Sequence, residues 1–150
     1  MNEGQPTLPF FLFAINTIMG ITQVYKGLGT STPLFKKYES TFFDQSSTGR
    51  ALCNVRKNQV FLGTSTAKTL LTVVDGKIFS GSGTSTCLFT IKNGVVFKGT
   101  GTSTPVYRIS KRALYQGAGT SKMVINWTGS QLTEVDIAAA VWLLQYAFAD

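Results

Sequence analysis

The chain has 150 residues, enough for one domain with a sizeable core, and 43% of them are hydrophobic against 14% charged. That balance excludes a disordered chain, which would bury too little apolar surface to offset the entropy of ordering. Fourteen Lys and Arg against seven Asp and Glu give a formal charge of +7, which favours an anionic partner, and the lack of histidine removes the commonest general base and zinc ligand.

The chain opens on an apolar segment, Leu8 to Ile21, with neither a basic flank before it nor an A-x-A-like cleavage site. It is short for a membrane span. It reads as the N-terminal segment (8–23) of a soluble, cytoplasmic protein with no transmembrane span, free to associate peripherally with a membrane.

Residues 24–131 are repetitive. An apolar pair returns six times at an interval of 18 residues: Val24-Tyr25, Phe42-Phe43, Val60-Phe61, Ile78-Phe79, Val96-Phe97 and Leu114-Tyr115. Between the pairs recurs the signature GTST, at Gly29–Thr32, Gly63–Thr66, Gly83–Thr86, Gly101–Thr104 and, worn, at Gly119–Lys122. A period this strict marks one supersecondary unit copied in tandem. In the clearest copy, two β-branched and aromatic runs, Val95–Lys98 and Val106–Ile109, flank the Gly/Ser/Thr stretch and predict two short strands. Asp75-Gly76 and Asn93-Gly94 suit two-residue type I′ turns between copies, and Lys57-Asn58 and Lys111-Arg112 hold the same place with weaker turn chemistry. In the third copy GTST comes two residues early while the flanking strands keep the period, which is how a surface loop behaves. The second copy carries Gln45-Ser-Ser-Thr-Gly49 in its place.

Beyond the repeats the pattern turns helical, over 132–149. Thr133, with Asp136 three residues on and Glu134 in the first turn, predicts an N-terminal cap. Ile137, Val141, Leu144 and Phe148 share one face, Ala138, Ala139, Trp142 and Tyr146 another, and only Gln145 interrupts the apolar surface after Asp136. A helix apolar all round must be buried on all sides. Twelve strands ~4.8 Å apart and tilted by ~40° close at a radius of ~12 Å, leaving a bore of ~12 Å that fits a helix with its side chains. The expected fold is therefore mainly β, a single domain over 1–150: a closed antiparallel barrel of about twelve short strands around a buried C-terminal helix. The alternative is a β-solenoid with the helix as a cap.

These tandem hairpins, with Asp75-Gly-Lys-Ile-Phe79 and Asn93-Gly-Val-Val-Phe97 at their junctions, resemble the bacterial β-flower repeat proteins. A twelve-stranded barrel around an apolar C-terminal helix is also similar to the Tubby C-terminal domain and its scramblase-like relatives. The second resemblance implies phosphoinositide binding, but no binding motif of that family matches here residue by residue.

Catalysis finds little support. The acids Glu3, Glu39, Asp44, Asp75, Glu134, Asp136 and Asp150 are scattered, and read as cap and surface charges. Cys53 stands where other repeats carry Phe89, Tyr107 and Ile125, so it reads as core rather than nucleophile. Cys53 and Cys87 fall at different places in non-adjacent repeats, which argues against a shared disulfide. The G-x-G-T-S-T glycines lack the lysine and the strand-to-helix setting of a phosphate loop. The expectation is a protein without enzyme activity, catalytic residues, cofactor or metal site.

The cations carry the binding reading. Arg56, Lys57, Lys77, Lys92, Lys111 and Arg112 all belong to repeat junctions, so in a barrel they gather on one rim, with Glu39 and Asp75 the main acids there. The opposite rim is expected to be nearly uncharged, apart from Arg50, Lys68 and Lys122. Such a basic rim suits anionic lipid headgroups or another anionic partner. The alternatives are a protein-interaction or assembly module using Leu8 to Ile21, with the partner protein unidentified, and an ice-binding array of the Thr-x-Thr ladders, which needs a flat solenoid sheet. Nucleic acid is disfavoured, because no exposed aromatics interleave with the cations.

Overall fold

The computed structural model describes residues 20–31, 33–45 and 50–148, and in it twelve strands close into one antiparallel barrel. The segment from Leu8 to Met19 lies outside the described residues. The strands are β1 (Ile21–Lys26), β2 (Pro33–Tyr38), β3 (Thr41–Asp44), β4 (Ala51–Arg56), β5 (Gln59–Leu62), β6 (Thr69–Val74), β7 (Lys77–Ser80), β8 (Cys87–Lys92), β9 (Val95–Lys98), β10 (Pro105–Ser110), β11 (Ala113–Gln116) and β12 (Met123–Gly129). The 18-residue period resolves into a six-residue strand, a two-residue turn, a four-residue strand and a six-residue loop. Closure removes every free sheet edge and rules out the solenoid.

Five of the six hairpins are covalent. The sixth is assembled from the two ends of the sheet: β12 supplies its long strand and β1 its short one, paired from Thr22↔Gly129 to Lys26↔Ile125. Within the covalent hairpins, Asp75-Gly76 and Asn93-Gly94 have positive φ at both residues, as type I′ requires, whereas Lys57 and Lys111 have it only at the first. A Cβ on Gly76 would stand 2.7 Å from the Ile91 carbonyl oxygen, so the turn also needs glycine for close approach.

Strand alternation sends one residue of each apolar pair inward and the other outward. Val24, Phe35, Phe42, Cys53, Val60, Leu71, Ile78, Phe89, Val96, Tyr107, Leu114 and Ile125, one from each strand, form an inner ring at most 7% exposed. The partners Tyr25, Phe43, Phe61, Phe79, Phe97 and Tyr115 stand on the outer wall, buried or half-buried. At every pairing across a loop the register slips by one residue, leaving Leu34, Leu52, Leu70, Leu88, Val106 and Val124 as bulge residues. All six pack against the core.

The bore is filled by helix α1 (Glu134–Trp142), which enters from the turn end after β12 and runs toward the loop end. Thr133 caps it in a reciprocal box: its Oγ1 accepts from Asp136 N at 3.2 Å, and its own N donates to Asp136 Oδ2 at 3.0 Å. Ala138, Ala139, Ala140 and Val141 are fully buried, so every face of this stretch touches the wall. The helix lies nearest β4, β5 and β6, whose ring residues are Cys53, Val60 and Leu71, and its small alanines allow that close approach. The regular helix is shorter than the 132–149 expected. It widens into a π-helical turn, Leu143–Ala147, where Phe148 N donates to Leu143 O at 2.7 Å. That turn carries Phe148 to one side, stacked on Phe35 at 5.7 Å, and leaves Tyr146 58% exposed. Burial on all sides therefore holds for the body of the helix and fails at its last turn.

Candidate functional site

The barrel has two unlike ends. At the turn end, the four consecutive hairpin turns from β4–β5 to β10–β11 bring Arg56, Lys57, Lys77, Lys92, Lys111 and Arg112 onto one rim, as the sequence predicts. They are not equivalent. Arg112 is half-buried and donates from Nη1 to Gly129 O at 2.7 Å, bridging the start of β11 to the end of β12. Arg56 Nε donates to Asn54 Oδ1 at 3.1 Å. Lys57, Lys92 and Lys111 are exposed and Lys77 half-buried, none with a side-chain partner among the described residues. Exposed Glu39, Asp75 and Glu134 share this end.

The loop end is less neutral than expected. Lys26 and Lys98 terminate β1 and β9 there, adding to Arg50, Lys68 and Lys122, and Arg50 lies 3.4 Å from Asp44. Charge alone therefore separates the two ends weakly.

The start of each loop is tied to the wall. The first residue of each, Gly27, Gln45, Gly63, Gly81, Gly99 or Gly117, has positive φ and donates its N–H to the bulge carbonyl 11 positions earlier in the repeat, modulo the closed ring. Wall side chains then pin the loops: Asn54 Nδ2 to Gly63 O at 2.8 Å, Thr72 Oγ1 to Gly81 O at 2.8 Å, Thr90 Oγ1 to Gly99 O at 2.7 Å, and Asn126 Nδ2 to Gly27 O at 2.6 Å. The early GTST of the third copy is now explained. Its leading Gly63 takes over the positive-φ position that a separate glycine, Gly81 or Gly99, fills elsewhere. Among the described residues the threonines of the signature lie in loops between strands rather than in a flat sheet, so the geometry required for an ice-binding ladder is missing there.

Inside, one polar pair breaks the six-fold pattern. Position 37 belongs to a second inward layer whose equivalents are Val55, Val73, Ile91, Ile109 and Trp127. Lys37 Nζ instead reaches Asp136 Oδ2 at 3.2 Å, with side chains 18% and 3% exposed. Asp136 is thus a buried cap and ion-pair partner, not the surface charge the sequence suggested. Gln145 Nε2 donates to the Tyr107 hydroxyl at 2.8 Å near the other end of the helix. Burial pushes the Tyr107 phenol up, with that hydrogen bond working the other way. Cys53 is core, as expected: burial first, and the Asp136 carboxylate second, push its thiol up to about 12, so it is no nucleophile near neutrality. Both cysteines are free. Among the described residues no three His, Cys, Asp or Glu side chains gather as metal ligands.

Among the described residues, two depressions stand out. One of about 340 Å³ opens beside the exposed Tyr146 at the loop end, lined by Leu88, Phe89, Lys98, Val106 and Gln145. The other, about 480 Å³, runs along the outer wall from the basic rim and is lined by Lys92, Asn93, Val95, Phe97, Thr102 and Arg108. The sequence does not show it, because Lys92 and Arg108 belong to different repeats and meet only through the pairing of β8 and β10 with β9. No described helix is long and apolar enough to cross a membrane, and strands of four to seven residues fall short of the ~9–11 that a transmembrane strand needs.

No curated protein and no solved structure matches this chain. Residues 22–142 do match the profile of the 6-fold beta flower protein family, and with six hairpins closed around one axis the chain belongs to that family.

Proposed function

We propose that this protein is a non-enzymatic binding or scaffold module that meets an anionic partner, most sharply an anionic lipid surface, through the basic rim at its turn end. The observation that carries this reading is the convergence of Arg56, Lys57, Lys77, Lys92, Lys111 and Arg112 on four adjacent turns. Each lysine beside an anionic surface contributes ~1 kcal/mol. A second reading, an interaction module using the apolar segment that begins at Leu8, draws on one fact. The chain comes into the barrel at this same rim, where Gly20 O accepts from Glu39 N at 3.2 Å.

Vesicle co-sedimentation with and without anionic lipid tests the proposal. Reversing Lys57, Lys77 and Lys111 to glutamate should weaken binding at least tenfold, with thermal stability nearly unchanged, because turn charges without side-chain partners contribute little to folding. Raising salt should act in the same direction, since exposed charges are screened beyond ~8 Å at physiological ionic strength. Changing Thr84 and Thr86 in a loop to valine should leave vesicle binding as it was. Binding that survives charge reversal but is lost in the threonine variant would transfer the site to the loops.

A further inference from the structure

We propose that the outer-wall groove between β8 and β10 is a site for a phosphomonoester, with Lys92 and Arg108 as its cationic walls and Phe97 as an apolar floor. This rests on the anionic-partner reading above and narrows it to one of the six hairpin faces.

Three observations carry it. The first is placement. On the outer face Val95 pairs with Lys92 on one side and Arg108 on the other, so the two cations flank a single apolar residue across three adjacent strands. The long side chains on either side help to leave Val95 only 6% exposed, although it faces outward.

The second is a break in symmetry. The residues equivalent to Lys92, Val95 and Arg108 in the other repeats are Val74, Lys77 and Thr90; Arg56, Gln59 and Thr72; Tyr38, Thr41 and Asn54; Ser110, Ala113 and Asn126; and Thr128, Gln23 and Lys36. Each of those sets has at most one cation, and only this one has two. A wall that copies itself six times has no folding reason to concentrate charge at one copy, where like charges repel.

The third is preorganisation. Arg108 Nε donates to Ala118 O at 2.8 Å, which ties the guanidinium to the neighbouring loop. Its Nη1 lies against the Gly94 turn, 3.9 Å from where a Cβ on that glycine would be. The terminal nitrogens have no partner among the described residues and remain available for a forked contact with phosphate oxygens. Lys92 adds a second cation and Thr102 a hydroxyl on the same groove, while the Phe97 ring offers a face to whatever the phosphate esterifies. A groove of about 480 Å³ admits a small ester.

The shared chemistry is the phosphomonoester dianion, free or as a lipid headgroup, and calorimetric titration of the full chain separates the two. The probes are phenyl phosphate, inorganic phosphate, and vesicles containing phosphatidic acid or, at matched charge, phosphatidylserine. Phenyl phosphate should bind, with Arg108→Gln and Lys92→Gln each weakening it at least tenfold, and Lys57→Gln leaving it within about twofold. Phe97→Leu should weaken phenyl phosphate but not inorganic phosphate. Preference for phosphatidic acid over phosphatidylserine, lost in Lys92→Gln, would assign the dianion to lipid, and binding of the soluble ester without that preference would assign it to a free ligand. Since Arg108 also holds a loop, Lys92→Gln decides if Arg108→Gln melts early. The proposal is overturned if phenyl phosphate does not bind up to about 10 mM, or if Lys57→Gln costs as much as Lys92→Gln. Vesicle binding that depends on Lys57, Lys77 and Lys111 but not on Lys92 or Arg108, together with no binding of phenyl phosphate, would overturn this site and leave the basic-rim reading standing.

Discussion

The wall of this barrel repeats six times, and what it encloses does not repeat at all. Each hairpin offers the bore nearly the same surface, two ring residues, a second-layer residue and a bulge residue, so the wall alone presents the helix with six similar seats. Apolar packing supplies most of the free energy but little rotational preference. Orientation has to come from side chains that depart from the repeat. Two do so from the wall: Lys37, which binds Asp136, and Tyr107, which accepts from Gln145. The stacking of Phe148 on Phe35 adds a third off-axis contact on one side. A symmetric wall thus acquires a single native state through a few asymmetric residues, a use of buried polar groups for specificity that is a hypothesis for this fold and open to direct test.

The largest effect should come from removing the contents altogether. Ending the chain before Thr133 deletes Ile137, Val141 and Leu143, all buried, and leaves the ring facing an empty bore. The lost apolar burial would match or exceed the ~5–15 kcal/mol by which a domain is ordinarily stable. The truncated protein should be insoluble or molten, read as loss of near-ultraviolet circular dichroism. A truncated chain with a cooperative unfolding transition would show that the wall stands without its helix.

Next in size is the ion pair. Lys37→Val restores the apolar residue that Val55 and Val73 represent in the repeat, but leaves Asp136 buried opposite it without its cation. Its cost should be about 3 kcal/mol, the low end of the range for a broken buried pair, because the lysine keeps partial exposure. Combining it with Asp136→Asn, which can still accept from Thr133 N, should recover most of that loss in chemical denaturation. The informative readout is uniqueness. If the pair selects the helix's rotation, the double variant should show extra amide resonances from alternative seats while keeping its stability. A single set of resonances would pass the role of orienting the helix to Gln145 and Phe148.

Much of this was legible in the sequence. The apolar pairs fixed the strands, the Asp-Gly and Asn-Gly junctions the turns, and the alanine-rich apolar run the occupant of the bore. What stays hidden shares one cause: it depends on the pairing of strands around the closed ring, which no single repeat displays. A lysine is ordinarily outside, yet the register of Lys37 with Val55, Val73 and Ile91 places it inside. Lys26 and Lys98 close strands rather than sit in the signature, so only the strand ends place them at the loop end. The sixth hairpin was hidden because its two strands lie at opposite ends of the chain. The Lys92–Arg108 pair spans two repeats and becomes visible only when β8, β9 and β10 are laid side by side.

A smaller effect separates the two thiols. Cys53 is fully buried in the ring and Cys87 half-buried near the loops. Under native conditions a thiol reagent should modify Cys87 and spare Cys53, and denaturant should expose both. Because burial holds the Cys53 thiol near 12, against an ordinary 9, unfolding above pH 9 releases a proton that the native state retains. Stability should therefore be unaffected by this group below pH 9 and decline as pH rises from 9 toward 12. Equal labelling of both cysteines in the native protein would contradict the packing of the ring.

The smallest effect lies in the wall itself, where one copy breaks its own rule. Five of the six loops begin on a glycine with φ between +66° and +77°, and the second begins on Gln45 at +51°. A side chain there carries the left-handed penalty of ~1 kcal/mol, partly offset because glycine is freer in the unfolded chain. Gln45→Gly should stabilise the protein by a few tenths of a kcal/mol, and Gly99→Ala should destabilise it by about 1 kcal/mol. Space is not the cause, since a Cβ on Gly99 would meet nothing within 4 Å. Both changes leave the N–H free to donate to the bulge carbonyl, so any difference in melting temperature reports backbone conformation alone. Opposite signs at equivalent positions would show that the glycine is kept for its φ. If Gln45→Gly destabilises instead, the second loop owes its conformation to its side chain, and that copy has settled into a local solution of its own.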